Sequence, residues 1–375
     1  MLWLAWLLVA GTVVYCFLAL VATYRYQAVR AAKAPGSLPP FSILKPLKGA
    51  DLGLEENLES FFRQQYKGGF EIIFAVAAAD DPALAVVEAL RARFPEVATQ
   101  TLIVGAPPWN NAKVWSLDHL LRAARFDLLL MADSDIRVTP DTLQKLAAEF
   151  AEDPKLGVAT CPYRAIGGPS LWSELEALGM NTEFLAGVLV ARMLEGMRFT
   201  LGPAVAARKQ AIDEAGGWPA FQNYLAEDFV MGQRVTERGW HSILSQCVVE
   251  HRIGSEAMAK NFEHRLRWNR STRRSRPAGY VGQVFTNPLP IFLLAWPAAG
   301  WAPAFLALAF MLRYTLGFAT AQGVLSAEWK VSHLLLLPLQ DLLSFGFWVA
   351  GFFGNEIEWR GKRYILHADG TFTPK

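Results

Sequence analysis

The sequence predicts an α/β domain with a mostly parallel sheet, bracketed by transmembrane helices. Between Phe41 and Ala132, short apolar runs alternate with longer helical patterns, the order that builds parallel strands joined by crossover helices. Both ends of the 375-residue chain are far more apolar than its middle. With 53% hydrophobic residues overall, that uneven excess reads as membrane spans rather than as an unusually oily core.

The elements follow in order. Leu2 to Tyr24 carries no charge, and about 20 such residues cross a bilayer. A cleaved signal peptide would have a shorter apolar region behind a basic start. Here Arg25, Arg30 and Lys33 follow the run, which predicts a retained anchor over residues 1–24 and a cytoplasmic domain after it. Residues 25–40, with Pro35-Gly36-Ser37 and Pro39-Pro40, form a linker. Strands are expected at Phe41–Lys45, Glu71–Ala77, Thr99–Val104 and Asp127–Ala132. Helices are expected at Leu54–Gln65, Pro82–Phe94 and Lys113–Ala124. Further on, Leu201–Arg208 reads as a strand entered from a Gly-Pro turn. Ala215-Gly216-Gly217-Trp218 closes a helix, with Trp218 either lining a sugar pocket or, the favoured reading, packing in the core. Glu227-Asp228 opens another helix. The catalytic domain is thus expected over 41–262 and a basic interfacial segment over 263–288.

Residues 289–354 read as a C-terminal transmembrane region and 355–375 as a cytoplasmic tail. Leu289–Leu312 and Leu334–Phe353 are each long enough to cross, while Arg313–His333 reads as a loop, a re-entrant piece or a third crossing. Arg360, Lys362 and Arg363 favour the cytoplasm, so two crossings is the simplest count. Pro290, Pro297 and Pro303 soften the limits of the first. A formal net charge of +2 gives no general case for nucleic-acid binding. Cys16, Cys161 and Cys247 are scattered, which fits a reducing compartment without disulfides or zinc.

Ligands of parallel sheets sit beyond the carboxyl ends of the strands, where Asp80-Asp81 and Asp133-Ser134-Asp135 fall. Two carboxylates at a buried strand's exit repel one another unless a cation or water lies between them. Their hard oxygens suit magnesium or manganese bridging a nucleotide diphosphate; the alternative is a solvated turn before Pro140. Asp80-Asp81-Pro82 has the form of a helix start, and one aspartate can also hold the donor's base or ribose. Lys113 opens a helix, facing either a phosphate or solvent, and Lys45 and Lys48 offer further cations. Asp228, beside Glu227, is placed to take the proton of an acceptor hydroxyl as it attacks a sugar; direct attack inverts the anomeric centre. His264-Arg265-Leu266-Arg267-Trp268 starts a basic stretch. Arg267 and Trp268 reach toward the diphosphate, and Arg270, Arg273, Arg274 and Arg276 toward anionic lipid. His251 reads as structural, with no partner visible in the sequence.

Taken together, the series resembles the ceramide glucosyltransferases, a membrane branch of the inverting GT-A glycosyltransferases, over nearly the whole chain. The matching points are the N-terminal helix, Leu44-Lys-Pro-Leu-Lys-Gly49, Asp80-Asp-Pro-Ala83, Asp133-Ser134, Ile136-Arg-Val138, Pro140-Asp-Thr-Leu143, Gly216-Gly217, Ala226-Glu-Asp228, Arg238-Gly-Trp240, Arg267-Trp268 and Trp359-Arg360. The resemblance implies a GT-A nucleotide-sugar-binding domain using a UDP-sugar and a divalent cation, Mg2+ or Mn2+. Asp80 or Asp81 then contacts the nucleotide, Asp133 and Asp135 hold the metal-diphosphate, and Asp228 is the base. Arg267 and Trp268 correspond to the final R/Q-x-x-R-W element, with His264 where the family has Arg or Gln. The implied reaction is UDP-glucose with ceramide, a membrane lipid acceptor. The bacterial hopanoid glycosyltransferases share these motifs, and Arg273 to Tyr280 is similar to that branch, so UDP-N-acetylglucosamine transfer to a hopanoid is the alternative. A processive polysaccharide synthase would need more spans, and a non-catalytic membrane scaffold would not need Asp133, Asp135, Asp228 and Arg267 together.

Overall fold

A computed structural model describes residues 2–33, 36, 38–255, 257–359 and 361–375. Pro35 and Ser37 of the expected linker, and Arg360 of the Trp359-Arg360 match, lie outside the described residues. The first helix, α1 (Leu2–Gln27), leads into an alternation of β1 (Phe41–Pro46), α2 (Leu54–Phe62), β2 (Phe70–Val76), α3 (Ala83–Arg93), β3 (Ala98–Ile103), α4 (Ala112–Ala123) and β4 (Leu128–Ala132). Then come β5 (Ile136–Arg137), α5 (Thr142–Glu152), β6 (Leu156–Thr160), β7 (Tyr163–Ile166), α6 (Leu171–Gly179) and α7 (Leu185–Glu195), the two helices joined by a π-helical turn. The domain continues through β8 (Ala204–Arg208), α8 (Lys209–Glu214), α9 (Glu227–Glu237), β9 (His241–Leu244) and β10 (Val249–Arg252).

The seven-stranded sheet has the order β3-β2-β1-β4-β8-β6-β9. β1, β2, β3 and β4 pair in parallel, as do β6 and β9, while β8 runs antiparallel to both its neighbours. Successive residues of β1 face opposite cores, as a period of two requires. Phe41 and Ile43 pack with Leu58, Phe61, Val87 and Leu90 on one face. Leu44 packs with Ile73, Val114, Leu117 and Trp218 on the other, so Trp218 is a core residue. A second, three-stranded sheet, β5-β10-β7, lies at the exit of β4 and matters for the site.

Among the described residues four helices are long and apolar enough to cross a membrane: Trp3–Gln27, Leu171–Glu195, Pro303–Ala321 and Val331–Gly351. The second is the continuous α6–α7 rod, absent from the sequence expectation. Five charged residues (Glu174, Glu176, Glu183, Arg192 and Glu195) interrupt its apolar pattern, and most of it is buried inside the protein. After α10 (Met258–Ser275) and α11 (Pro277–Gly282), the expected Leu289–Leu312 span is broken in two. It forms α12 (Pro288–Ala295), a 3₁₀ turn at Trp296–Ala299, and α13 (Pro303–Ala321). Pro297 and Pro303 lack the N–H that a continuous helix needs, and Gly300 and Trp301 take positive φ at 61° and 59°. Arg313 to Ala321 is therefore helix rather than loop, and α14 (Val331–Gly351) follows.

The segment 355–375 is also not a free tail. It folds into an antiparallel meander of β11 (Glu356–Trp359), β12 (Lys362–Leu366) and β13 (Phe372–Pro374). The later arginines of α10 meet protein groups rather than presenting a free lipid-facing row. Arg270 donates to the carbonyls of Phe353 and Glu356, Arg273 to those of Phe352 and Gly354, and Arg276 pairs with Glu195. The bonds from Arg270 and Arg273 to Phe352, Phe353 and Gly354 lie just past the carbonyl end of α14, where cations are favourable.

Candidate active site

The strand β4 is buried along its length and delivers Asp133 at its exit. The Asp133 amide donates to the carbonyl of Pro203 at 3.0 Å, fixing the turn to the 201–203 segment that enters β8. Lys45, at the end of β1, is fully buried and donates to the Asp133 carbonyl at 2.5 Å. Its ammonium also lies 4.0 Å from the Phe61 ring centre. Burial, opposed by Asp133 and Asp135, lowers the Lys45 pKa to about 7. Lys48 is exposed.

Lys113 joins the two acidic motifs. Asn111 caps α4, its side-chain oxygen accepting from the amides of Lys113 and Val114. This turns Lys113 toward the sheet, where Nζ stands 2.7 Å from Asp133 Oδ1 and 3.6 Å from Glu227 Oε1. The Asn111 amide group donates to Glu227 Oε2 at 3.1 Å and to the carbonyl of Tyr224 at 2.9 Å. Lys113 thus lies in an ion pair within an acidic cluster rather than on the solvated surface.

The first turn of α9 carries Asp228. Thr200 Oγ1 donates to the Asp228 carbonyl at 2.7 Å, and a Cβ on Gly202 would lie 2.8 Å from Asp228 Oδ2. Any side chain at 202 would thus displace the carboxylate. Burial, reinforced by the charge of Glu227 and offset by Lys113, raises the Asp228 pKa to about 7. A carboxylate in that state accepts a proton near neutral pH far better than a solvated one.

His251 is the residue that sequence reasoning missed. The pairing of β10 with β5 sets His251 opposite Ile136, and Nε2 comes 3.2 Å from Asp135 Oδ2. Burial opposes ionisation of Asp135, yet His251, with Lys45 and Lys113, holds its carboxyl below the usual range. Burial likewise works against the imidazolium, and Asp135 raises the His251 pKa in spite of it. The other Asp135 oxygen, Oδ1, is buried with no hydrogen-bond partner. An orphaned carboxylate oxygen beside Asp133 fits a hard divalent cation. Among the described residues no three carboxylate, imidazole or thiol side chains form a ready-made cage; a cation here would take its remaining ligands from a bound diphosphate and water.

Asp80 is exposed, while Asp81 accepts from the amides of Gly49 at 2.9 Å and Ala83 at 3.0 Å. Asp81 thus ties the Lys-Gly turn after β1 to the start of α3. His264 lies between Glu176 and Trp268. Its Nδ1 is 2.9 Å from Glu176 Oε1, and its ring meets Trp268 edge-on with centroids 4.6 Å apart. Arg267 faces the C-terminal meander, its guanidinium 5.9 Å from the Trp359 ring centre. The structure therefore brings Asp133, Asp135, Lys113, Glu227 and Asp228 into one cluster, joined by Lys45 and His251. Asp81 instead bonds the turn after β1 and the start of α3, Arg267 meets Trp359, and His264 meets Glu176 and Trp268.

Comparison with known proteins identifies the family and the fold. The chain is 31% identical over 244 residues to ceramide glucosyltransferase 1 of Caenorhabditis elegans, covering 65% of this chain and 52% of that protein. It is 27% identical over 293 residues to ceramide glucosyltransferase 3 of the same organism, covering 78% and 61%. The chain thus spans between about half and three fifths of these relatives' length. Among solved structures, a mannosyltransferase from Pyrobaculum calidifontis in complex with GDP-Man and Mn2+ superimposes with a TM-score of 0.56 at 17% identity. That likeness covers 94% of this chain and 98% of the other, and it shows the GT-A fold. The family model for glycosyl transferase family 21 matches residues 4–372, and the chain belongs to that family.

Proposed function

We propose that this chain transfers a hexose from a UDP-sugar to a hydroxyl of a membrane lipid, with inversion, and that UDP-glucose and ceramide are the substrates. The observation that carries the reading is the Lys113 bridge between Asp133 and Glu227. It makes one site of two motifs that the sequence holds far apart. The relatives named as ceramide glucosyltransferases support the substrate pair. The four apolar helices support a lipid acceptor, which a bilayer concentrates beside the domain. On the positive-inside argument the domain faces the cytoplasm.

In this reading Asp228 takes the proton from the acceptor hydroxyl while that oxygen forms its bond to the anomeric carbon. The bond from that carbon to the diphosphate oxygen breaks, and UDP leaves with the electron pair. One base and one displacement give inversion. Asp133 and Asp135, backed by His251, are the residues that would hold Mg2+ or Mn2+, which supplies charge neutralisation for the departing diphosphate. Lys113 is held ready to exchange a carboxylate partner for a phosphate. Asp80 or Asp81 would contact the nucleotide, and Arg267 and Trp268 would approach the leaving group from α10.

The test is product formation in purified membranes. UDP-glucose and UDP-N-acetylglucosamine are each offered ceramide and a hopanoid polyol, with and without EDTA. Glucosylceramide that disappears with EDTA is the expected product. Transfer only to the hopanoid would reassign the acceptor, and transfer to neither would overturn the reading.

A further inference from the structure

The meander β11–β13 packs its apolar face against the catalytic domain, the kind of packing that stabilises a small sheet. Its buried side chains are Ile357, Tyr364, Leu366 and Phe372, with Trp359 against them, and the fifth buried member is Leu225. Leu225 belongs to the segment that carries the acidic pair, three residues before Asp228. The rings of Tyr364 and Phe372 are 5.0 Å apart and those of Trp359 and Phe372 5.7 Å, so Leu225 completes a cluster built around three aromatic rings.

Main-chain bonds continue the docking. The Phe372 amide donates to the Asn223 carbonyl at 2.9 Å, and the Leu225 amide to the Gly370 carbonyl at 3.4 Å. Tyr224 bridges Thr371 in antiparallel fashion. Asn110 then donates to the Phe372 carbonyl at 2.8 Å and to Asn223 Oδ1 at 3.1 Å. Its neighbour Asn111 bonds Tyr224 and Glu227 while capping the helix that presents Lys113. On the far side Trp359 lies under Arg267, and Arg270 donates to the Glu356 carbonyl. One small sheet therefore touches the segments bearing Lys113, Glu227 and Asp228, and Arg267.

We propose that the meander is a positioning element of the active site. Its docking through Phe372 and Leu225 sets the register of the 223–228 segment against the turn before Lys113, and so sets turnover. The proposal rests on the reading of Asp228 as base. Loss of the clamp leaves the sheet and the D-x-D turn in place but lets the acidic segment drift, and misplacement of about 1 Å costs up to ~100-fold in rate.

The experiment uses the full chain in membranes, with kcat, donor KM and amide hydrogen exchange as readouts. Phe372→Ala and Leu225→Ala are each expected to lower kcat about tenfold or more with donor KM little changed. Protection should fall at 222–228 and hold in β1 to β4. The double variant should lose no more than the worse single, since both side chains serve one contact, and Phe372→Leu should recover most of the rate. Where Phe372→Ala does not fold, Asn110→Ala, which removes only the side-chain stitch, should lower kcat with donor KM unchanged. Wild-type kcat in Phe372→Ala, or in Asn110→Ala where the former does not fold, overturns the proposal. Asp228→Asn separates the two readings. An active Asp228→Asn with an impaired Phe372→Ala removes the base and moves the clamp's target elsewhere in 223–227. An inactive Asp228→Asn with a fully active Phe372→Ala removes the clamp alone.

Discussion

His251 Nε2 lies 3.2 Å from Asp135 Oδ2; Asp135 is in the turn that leads into β5 and His251 on its partner β10, 116 positions apart in the chain. The imidazole orients one carboxylate oxygen and leaves the other, Oδ1, buried and without a partner. A second residue that fixes a carboxylate in this way typically controls cation affinity about 10–100-fold. In His251→Ala, the Mn2+ concentration needed for half-maximal turnover is expected to rise by about that factor, while UDP affinity at saturating metal stays the same. An unchanged metal titration would restore His251 to a purely structural role.

The Asp228 carboxyl sits near pKa 7 because it is buried beside Glu227. As a base it must be ionised, so kcat/KM should climb with pH through about 7 and level off above it. The stability sign runs the other way. A carboxyl whose folded pKa is raised stabilises the fold below its unfolded value, and that contribution is lost as pH rises through 7. Asp228→Asn should therefore abolish turnover, retain UDP binding, and raise Tm at pH 8 more than at pH 5. A variant with wild-type turnover would remove Asp228 from the chemistry.

Gly202 offers an independent check on the same carboxylate. A methyl there would come within 2.8 Å of Asp228 Oδ2, too close for a nonbonded contact. Gly202→Ala is expected to lower kcat by about tenfold or more through a shift of Asp228, with donor KM nearly constant and the fold intact. Equal losses in kcat/KM and UDP affinity would point to a disturbed donor pocket instead.

The parallel half of the sheet was legible because each strand there is a short apolar run closed by a turn. The same reasoning put Asp133 at a strand exit. His251 was not legible, since its partner reaches it only through the pairing of two very short strands, β5 and β10. The α6–α7 rod was hidden by the polar groups it buries: Glu176 meets Asn261 and His264, and Thr182 meets Arg313. The meander is hard to see in the sequence because Glu356, Glu358, Lys362 and Arg363 give its short strands an exposed, charged face. The break near Trp301 was foreshadowed by the prolines, but periodicity alone could not say which side would continue as helix.

His264 occupies the position where the resembling family has Arg or Gln, and its neighbours explain what that position does. The ring stands between the buried carboxylate of Glu176 and the indole of Trp268. Removing it leaves Glu176 with Asn261 as its remaining partner and frees Trp268 to turn. His264→Ala should cost about 1–3 kcal/mol of stability and raise donor KM, whereas His264→Gln, which can still donate to Glu176, should keep both near wild type. Equal behaviour of the two variants would deny the position any role in orienting Trp268.

Arg313 and Asp341 form an ion pair between α13 and α14, with Nε at 2.7 and 2.9 Å from the two carboxylate oxygens. Their side chains are 3% and 0% exposed. The Arg313 guanidinium also donates to Thr182 at 2.8 Å, in the π-helical turn between α6 and α7, so the pair ties two terminal helices to the rod that runs from the catalytic domain. Ionised groups within apolar helices are retained only when paired. Breaking one side of a buried pair costs about 3–5 kcal/mol, while replacing both with apolar groups of similar size is often neutral. Arg313→Met or Asp341→Leu alone should sharply lower the inactivation temperature in detergent, and the double variant should recover most of it. If the double variant is as unstable as the singles, the Thr182 contact rather than the ion pair holds the rod, and Thr182→Val should then reproduce the defect.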